Sequence, residues 1–290
     1  MSFRTVVITK QSKISYKNRF LVVKQGIDEK YIHLSEIDTI IVDSISVSIT
    51  SYLLKELSEN KINIIFCDDK HNPFGELKSF YSSHNSSKKI LAQSKWASKK
   101  KDELWSKIVK NKILNQALLL NKLKSKNYNL VLSYADEVKL GDKTNREGHA
   151  AKVYFNSLYG KNFVRNDSDS INSALNYGYA VLLSTINKEV INNGYLTQLG
   201  IHHKNEFNEF NLSCDLMEPF RIIIDNFVYY NRTREFDSNY KLDLVNIFND
   251  KFKYNGKNYT LKDALKLYVK NTLDCIEKDT DYKGFMFYEG

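Results

Sequence analysis

The chain has 290 residues and a net charge of +9, with 42% hydrophobic and 27% charged residues. That balance suits a folded chain with a sizeable core and excludes a disordered or fibrous one. No apolar run approaches the ~18 residues of a membrane span, and the widely spaced Cys67, Cys214 and Cys275 exclude a disulfide framework or zinc knuckle and read as reduced thiols.

The opening MSFRTVVITKQ lacks the pattern of charge, apolar run and small-residue cleavage site that marks a signal peptide, so the expected compartment is the cytoplasm. Residues 1–81 read as β-rich. FRTVVI, SKISYK and RFLVVKQ are short β-branched and aromatic segments, and TIIVDS and INIIFCD are apolar runs of the kind found in buried strands. Between them ITSYLLKELSEN has helical spacing, with Leu53, Leu54 and Leu57 on one face. HNPFGEL then carries one of the chain's two prolines, a turn signal. The polar SSHNSS marks a linker over 82–88.

After it the pattern turns helical. Residues 88–126 predict one or two long helices whose apolar stripe runs from Ile90 and Leu91 through Trp96, Leu104, Trp105, Ile108 and Val109 to Ile113 and Leu114. The same stretch holds twelve lysines against two acids, Asp102 and Glu103, so most of the positive charge sits here. A basic stripe of this kind fits contact with a phosphate backbone, or a solvated helix face. Further helices are predicted at about 145–160, 168–193, 214–231, 239–249 and 261–278. Asn255-Gly256, between two short alternating runs, predicts a type I′ hairpin. The expected fold class is α+β: a small N-terminal β-rich domain over 1–81, a linker over 82–88 and a larger, mainly α-helical domain over 89–290.

Two helical segments place acids on inward faces. In NREGHAAKVYFNSLYG, Glu147 shares a face with Ala150, Ala151, Tyr154 and Leu158. A buried carboxylate needs a cation, hydrogen-bond donors or a metal, although a glutamate in a first turn capped by Asn145 is also favoured by the helix dipole. In GIHHKNEFNEFNLSCDLMEPFR, Pro219 belongs to a helix's first turn, so a helix is predicted to begin near 214–218. Asp215 and Glu218 then lie three residues apart at its start and repel unless something positive sits between them. An oxygen-rich site with one imidazole, from His202 or His203, suits Mg²⁺ or Mn²⁺ better than zinc. An ordinary N-terminal acid pair beside a polar histidine is the plainer alternative.

NREGHAAKVYF, GIHH and DLMEPFR together resemble the three active-site blocks of the universal CRISPR-associated integrase of spacer acquisition. CDDKHNPFGEL and INSALNYGYAVL resemble its β-domain turn and central helix, and the order and spacing span essentially the whole chain. The wording is similar to the short form found beside single-effector (type II) systems. The resemblance implies a metal-dependent DNA endonuclease and integrase with Glu147, His203 and Glu218 as catalytic metal ligands for Mg²⁺ or Mn²⁺. It implies Asp215 as a supporting acid and His202 as a non-ligand neighbour. Arg146, Asn176, Tyr177, Lys204 and Arg221 are the expected DNA contacts. The implied partners are double-stranded DNA, a second copy through the β domain, and a small ferredoxin-like protein whose dimer joins two such homodimers in a 4:2 assembly. An effector nuclease and an accessory protein would help choose the DNA. The rival readings are a general metal nuclease on branched or single-stranded DNA and a non-catalytic DNA-binding scaffold.

Overall fold

The computed structural model describes residues 4–69, 73–77, 85–165, 167 and 169–287. The chain divides into two compact units, Met1–Tyr81 with Phe236–Asn249, and Ser82–Glu235 with Asp250–Gly290. The β-rich start followed by a mainly helical remainder is the expected fold class. The helical domain, expected to run unbroken from 89 to 290, lends Phe236–Asn249 to the first unit.

The first unit holds two four-stranded sheets. One has the order β1 (Arg4–Ile8), β5 (Ile37–Val42), β7 (Asn63–Cys67), β8 (Pro73–Glu76); its first three strands are parallel, and the apolar runs of β5 and β7 lie at its centre. The other has the order β4 (Asp28–His33), β3 (Phe20–Gln25), β2 (Ser12–Lys17), β6 (Val47–Ile49). Residues from both sheets, including Ile14, Leu21, Ile40 and Ile64, share a core with Leu53 and Leu57 of helix α1 (Ser51–Glu59). That is the amphipathic face expected of ITSYLLKELSEN. Strand β4 is too polar to read from its sequence; it exists because β3 offers it an edge across a Gly26-Ile27 turn. Pro73, expected in a turn, opens β8, an edge strand where a missing N–H costs no ladder bond; His71 and Asn72 lie outside the described residues. Of the expected linker, residues 82–84 lie outside them too, and Ser86 already begins helix α2 (Ser86–Gln93).

In the second unit, helix α3 (Ser98–Lys122) packs against α4 (Tyr128–Asp136), α5 (Arg146–Tyr159), α8 (Arg221–Asn231) and α10 (Leu261–Lys278). Helix α6 (Ser170–Asn192) packs on α7 (Asn211–Met217), α8 and α10. Helix α9 (Ser238–Asn246) belongs to the first unit and touches β1. Strands β9 (Lys251–Tyr254) and β10 (Lys257–Thr260) form the expected hairpin, with Asn255 at φ 50° and Gly256 at φ 74°. The expected apolar stripe on α3 is buried from Leu104 to Ile113, whereas Leu91 of α2 is exposed. No helix among the described residues is long and apolar enough to cross a membrane.

Pro219 lies in a helical first turn, as expected, but that turn is 3-10 and a helix already precedes it. Helix α7 starts at Asn211, and Pro219 lies in a tight 3-10 turn, Glu218–Phe220, that links α7 to α8. Lacking an N–H, proline interrupts the helical ladder at this junction. Two buried asparagines of α3 hold this region. The amide nitrogen of Asn115 donates to the Pro219 carbonyl at 2.9 Å and to the Phe285 carbonyl at 2.8 Å, while its oxygen accepts from Phe287 N–H at 3.0 Å. Asn111 donates to the Phe285 carbonyl and accepts from the Phe285 N–H, at 2.8 and 2.9 Å.

Replacing Asn115 with alanine therefore strands several buried backbone groups at once. Urea denaturation of Asn115→Ala should give a loss of about 2 kcal/mol or more; an unchanged midpoint would mean that the clamp contributes nothing.

Candidate active site

Glu147 sits in the first turn of α5. The side chain of Asn145, in the left-handed region at φ 51°, accepts from Gly148 N–H at 3.2 Å, so it caps the helix as expected. Asp142 accepts from the Arg146 and Glu147 N–H groups at 2.9 and 3.0 Å. The helix start is thus supplied with acceptors of its own, and the Glu147 side chain is left to turn toward α3.

There it meets Lys112. The lysine Nζ lies 2.6 Å from Glu147 Oε1 and 2.5 Å from Glu218 Oε2. The two carboxylates, delivered by different elements, therefore converge on one ammonium held by a third. Glu218 is only 4% exposed. Its second cation is Arg221, whose Nε stands 3.0 Å from both carboxylate oxygens. Burial pushes the Glu218 carboxyl upward, but the Arg221 guanidinium and Lys112 ammonium outweigh it and hold the group at about 2. Burial likewise works against the charge on Lys112, and Glu218 and Glu147 reverse it, so its pKa is raised.

Asp215 points elsewhere. It is fully buried and accepts from the backbone N–H groups of Ile201, His202 and His203 at 2.6, 2.9 and 3.1 Å. It also lies 2.6 Å from His203 Nδ1. One carboxylate thus organises the whole GIHH segment. Gly200 is required by this approach: a Cβ there would stand 2.4 Å from the His203 carbonyl and 2.9 Å from Asp215 Oδ2. The expectation of Asp215 and Glu218 sharing one positive group is corrected. Each acid has its own partners: the GIHH segment packs against Asp215, while Lys112 and Arg221 meet Glu218. The hydrogen bond to Asp215 raises the His203 pKa above its usual value; burial opposes it, and the charges of Asp215, Glu218 and Glu147 add to it. With Nδ1 committed, Nε2 is the imidazole atom left for a ligand. His202 instead stacks on Trp105, ring centroids 4.4 Å apart and planes within 3°.

Do these residues fit a divalent ion? Among the described residues no three His, Cys, Asp or Glu side chains already stand around one point. The donor set is nonetheless right in chemistry: two carboxylates meet at a cation, and the neighbouring imidazole is oriented through Nδ1 by a buried carboxylate, the arrangement that prepares Nε2 for a metal.

The expected DNA contacts divide. Lys204 and Asn176 are exposed. Arg146 pairs with Glu137 at 3.2 Å, and Arg221 is held by Glu218. Tyr177 is corrected: at 1% exposure it is a core residue of α6 and offers no surface to a duplex. The lysine stripe is not one uniform solvated face either. Lys100 and Lys110 pair with Asp279 and Asp136, and Lys112 turns inward.

Beside Glu218 opens a cavity of about 320 Å³ lined by Lys112, Gln116, Arg165, Asn176, Arg221 and Asp225, among others. The Arg221 and Arg165 guanidiniums lie over the Tyr179 ring, at 4.4 and 5.2 Å from its centroid. The hydroxyls of Tyr179 and Tyr154 both donate to Asp225. Burial raises Asp225 to about 6 despite those two donors. Lys112, Trp105, Arg165 and Asp225 were not anticipated. A signal for Lys112 existed, since it falls four residues after Ile108, on the apolar face of α3.

A family model described as "CRISPR associated protein Cas1" matches residues 5–241. The chain is 35% identical over 229 residues to a CRISPR-associated endonuclease Cas1 of Neisseria meningitidis serogroup C (strain 8013), covering 78% of this chain and 74% of the relative. Among solved structures, a casposase bound to integration product aligns with a TM-score of 0.81 at 18% identity, over all of this chain and 95% of the casposase. A chain of a Cas6-RT-Cas1–Cas2 complex aligns with a TM-score of 0.76 at 19% identity over 99% of this chain, which spans only 36% of that longer chain. At these identities the two structural likenesses concern the fold.

Two outcomes test this geometry. Nuclear magnetic resonance titration should find His203 above the ordinary imidazole value of ~6.5, and Asp215→Asn should return it toward that value. Because the folded pKa is raised, the His203–Asp215 pair stabilises fully below the unfolded imidazole pKa and loses its effect as pH rises through the folded one. Glu218 has the opposite sign: its contribution is present above the unfolded carboxyl value and is lost as pH falls toward about 2. Glu218→Gln should cost about 3 kcal/mol at neutral pH and flatten the acid limb of stability measured by urea denaturation between pH 2 and 5.

Proposed function

The chain belongs to the Cas1 family, and from that premise we propose that it is a CRISPR spacer-acquisition integrase and DNA endonuclease of the single-effector (type II) form, working with Mg²⁺ or Mn²⁺. The observation that carries this reading is the meeting of Glu147 and Glu218 at one cation, beside an imidazole oriented by Asp215.

Glu147, Glu218 and His203 Nε2 would hold the ion. Bound there, a divalent ion supplies Lewis-acid stabilisation of the charge that develops on a phosphate during displacement. The chain's own residues do the rest. Asp215 keeps the proton of neutral His203 on Nδ1, which leaves the Nε2 lone pair available. The three backbone donors to Asp215 keep the imidazole from swinging away. Arg221 keeps Glu218 ionised and correctly turned. No protein nucleophile is required. The 3′-hydroxyl oxygen of a captured duplex bonds to the phosphorus at a repeat boundary, the P–O bond to the displaced strand breaks, and the departing oxygen takes up a proton. The number of phosphodiesters is conserved. With water as the attacking group, the same displacement cuts DNA.

On this reading the partners are double-stranded DNA, a second copy, and a small ferredoxin-like protein whose dimer joins two homodimers. An effector nuclease and an accessory protein help choose the DNA. Exposed Lys204 and Asn176, and Arg165 beside the cavity, are the side chains best situated for phosphate. The relatives named as a Cas1–Cas2 complex and a casposase on its integration product support this direction.

The test is strand transfer. The protein, its small partner, Mn²⁺, a duplex with free 3′-hydroxyls and a supercoiled plasmid carrying a repeat are incubated with or without chelator. Wild type should join duplex to plasmid, and Glu147→Ala should reduce joining by about a hundredfold or more. Joining by the variant at the wild-type rate would overturn the ligand set. Cutting without joining would favour a general nuclease, and binding without either would favour a scaffold.

A further inference from the structure

The sequence assigns Lys112 no role beyond a basic stripe, yet the structure makes it the single group common to both candidate ligand carboxylates. It enters α3 on the apolar face, and its side chain is 13% exposed. Among the described residues, Lys112 is the cation against Glu147, whereas Glu218 keeps Arg221 as well. A metal held by Glu147 and Glu218 needs the place that this ammonium occupies.

The same helix provides somewhere for the ammonium to go. Gln116 lies one turn beyond Lys112, on the same side of α3. It is 4% exposed, and its Oε1 is a buried acceptor with no hydrogen-bond partner. Such an atom is costly unless something donates to it. Both Lys112 and Gln116 line the cavity of about 320 Å³ beside Glu218. A lysine suits the exchange: its ammonium is a compact charge on four flexible carbons, whereas an arginine would lock both carboxylates in a planar fork.

We propose that Lys112 is an exchangeable counter-cation. It holds Glu147 and Glu218 in position while no metal is bound, and it withdraws into the cavity, toward Gln116 Oε1, when a divalent ion takes its place. Loading the site thereby moves one positive charge from the carboxylates to the cavity wall. In the metal-free state the lysine prevents the buried Glu218 and half-buried Glu147 carboxylates from repelling each other apart, so the ligands are preorganised at the cost of direct competition with the metal. The proposal rests on the ligand set of the preceding section.

Binding of Mn²⁺ alone, without DNA, is followed by calorimetry and electron paramagnetic resonance in wild type, Lys112→Met and Glu147→Gln. Lys112→Met should bind Mn²⁺ about tenfold tighter or more, within the range over which groups beside the ligands move metal affinity, and should gain more thermal stability from Mn²⁺ than wild type does. Gln116→Leu should weaken Mn²⁺ binding in wild type but not in the Lys112→Met background. A second measurement needs no variant. Lys112 in wild type should react slowly with an amine-directed reagent in chelator and faster in Mn²⁺, as read by peptide mass spectrometry. Binding that Glu147→Gln fails to weaken would overturn the ligand set and this proposal together. Binding weakened by Glu147→Gln yet no tighter in Lys112→Met, or Lys112 labelling unchanged by Mn²⁺, would overturn the exchange alone.

Discussion

Two carboxylates facing one ammonium set the terms for the helical unit. Glu218 is buried, and a buried carboxylate stands only if cations compensate it. Lys112 comes from α3, Glu147 from the start of α5, Glu218 and Arg221 from the turn and helix that follow α7. The compensation can be met only if these elements reach one another, so the charge requirement acts as a positional constraint on the packing. The Asn115 clamp on the Pro219 carbonyl adds a neutral restraint to the same junction, from the same helix. Helix α3 is therefore the organising element: its apolar stripe builds the core, and its inward Lys112 and Asn115 hold the acids and the turn between α7 and α8.

Around that centre, other polar groups act by orienting rather than by meeting a ligand. Asp215 draws three backbone N–H groups and an imidazole to itself, which makes one carboxylate the frame of the GIHH loop. Gly200 is there because any side chain would occupy the space the carboxylate and the His203 carbonyl need. On the opposite flank Arg221 lies over Tyr179, and Tyr179 and Tyr154 both donate to Asp225. Glu218 is thus backed by an aromatic and hydrogen-bonded layer that leaves it little freedom, which is what a preorganised ligand requires.

Much of the fold was legible because it follows from local chemistry. Apolar runs became the central strands β5 and β7, Asn255-Gly256 became the hairpin, and the apolar face of ITSYLLKELSEN became the buried face of α1. Periodicity also put Glu147 on an inward face, where it stands in the structure. The acids were findable because a charged residue within an apolar pattern is conspicuous. Their partners were harder. Lys112 is hidden among eleven other lysines, and Arg165, Tyr179 and Asp225 look like ordinary helix residues until the helices are packed.

What the sequence by itself determined is the element types, the α+β order and the identity of the acids and histidines, since propensity, capping and hydrophobic period act over a few residues. Only the tertiary structure decided which acid meets which cation. Asp215 and Glu218 are three residues apart, yet one faces a loop of backbone donors and the other faces Lys112, because different distant segments pack against each. The same holds for α9, helical by its own sequence but assigned to the β-rich unit by distant packing. Tyr177, offered to DNA by its motif, was claimed by the core. Pairings across roughly thirty to a hundred residues depend on how faces bury against one another, and no local pattern encodes that choice.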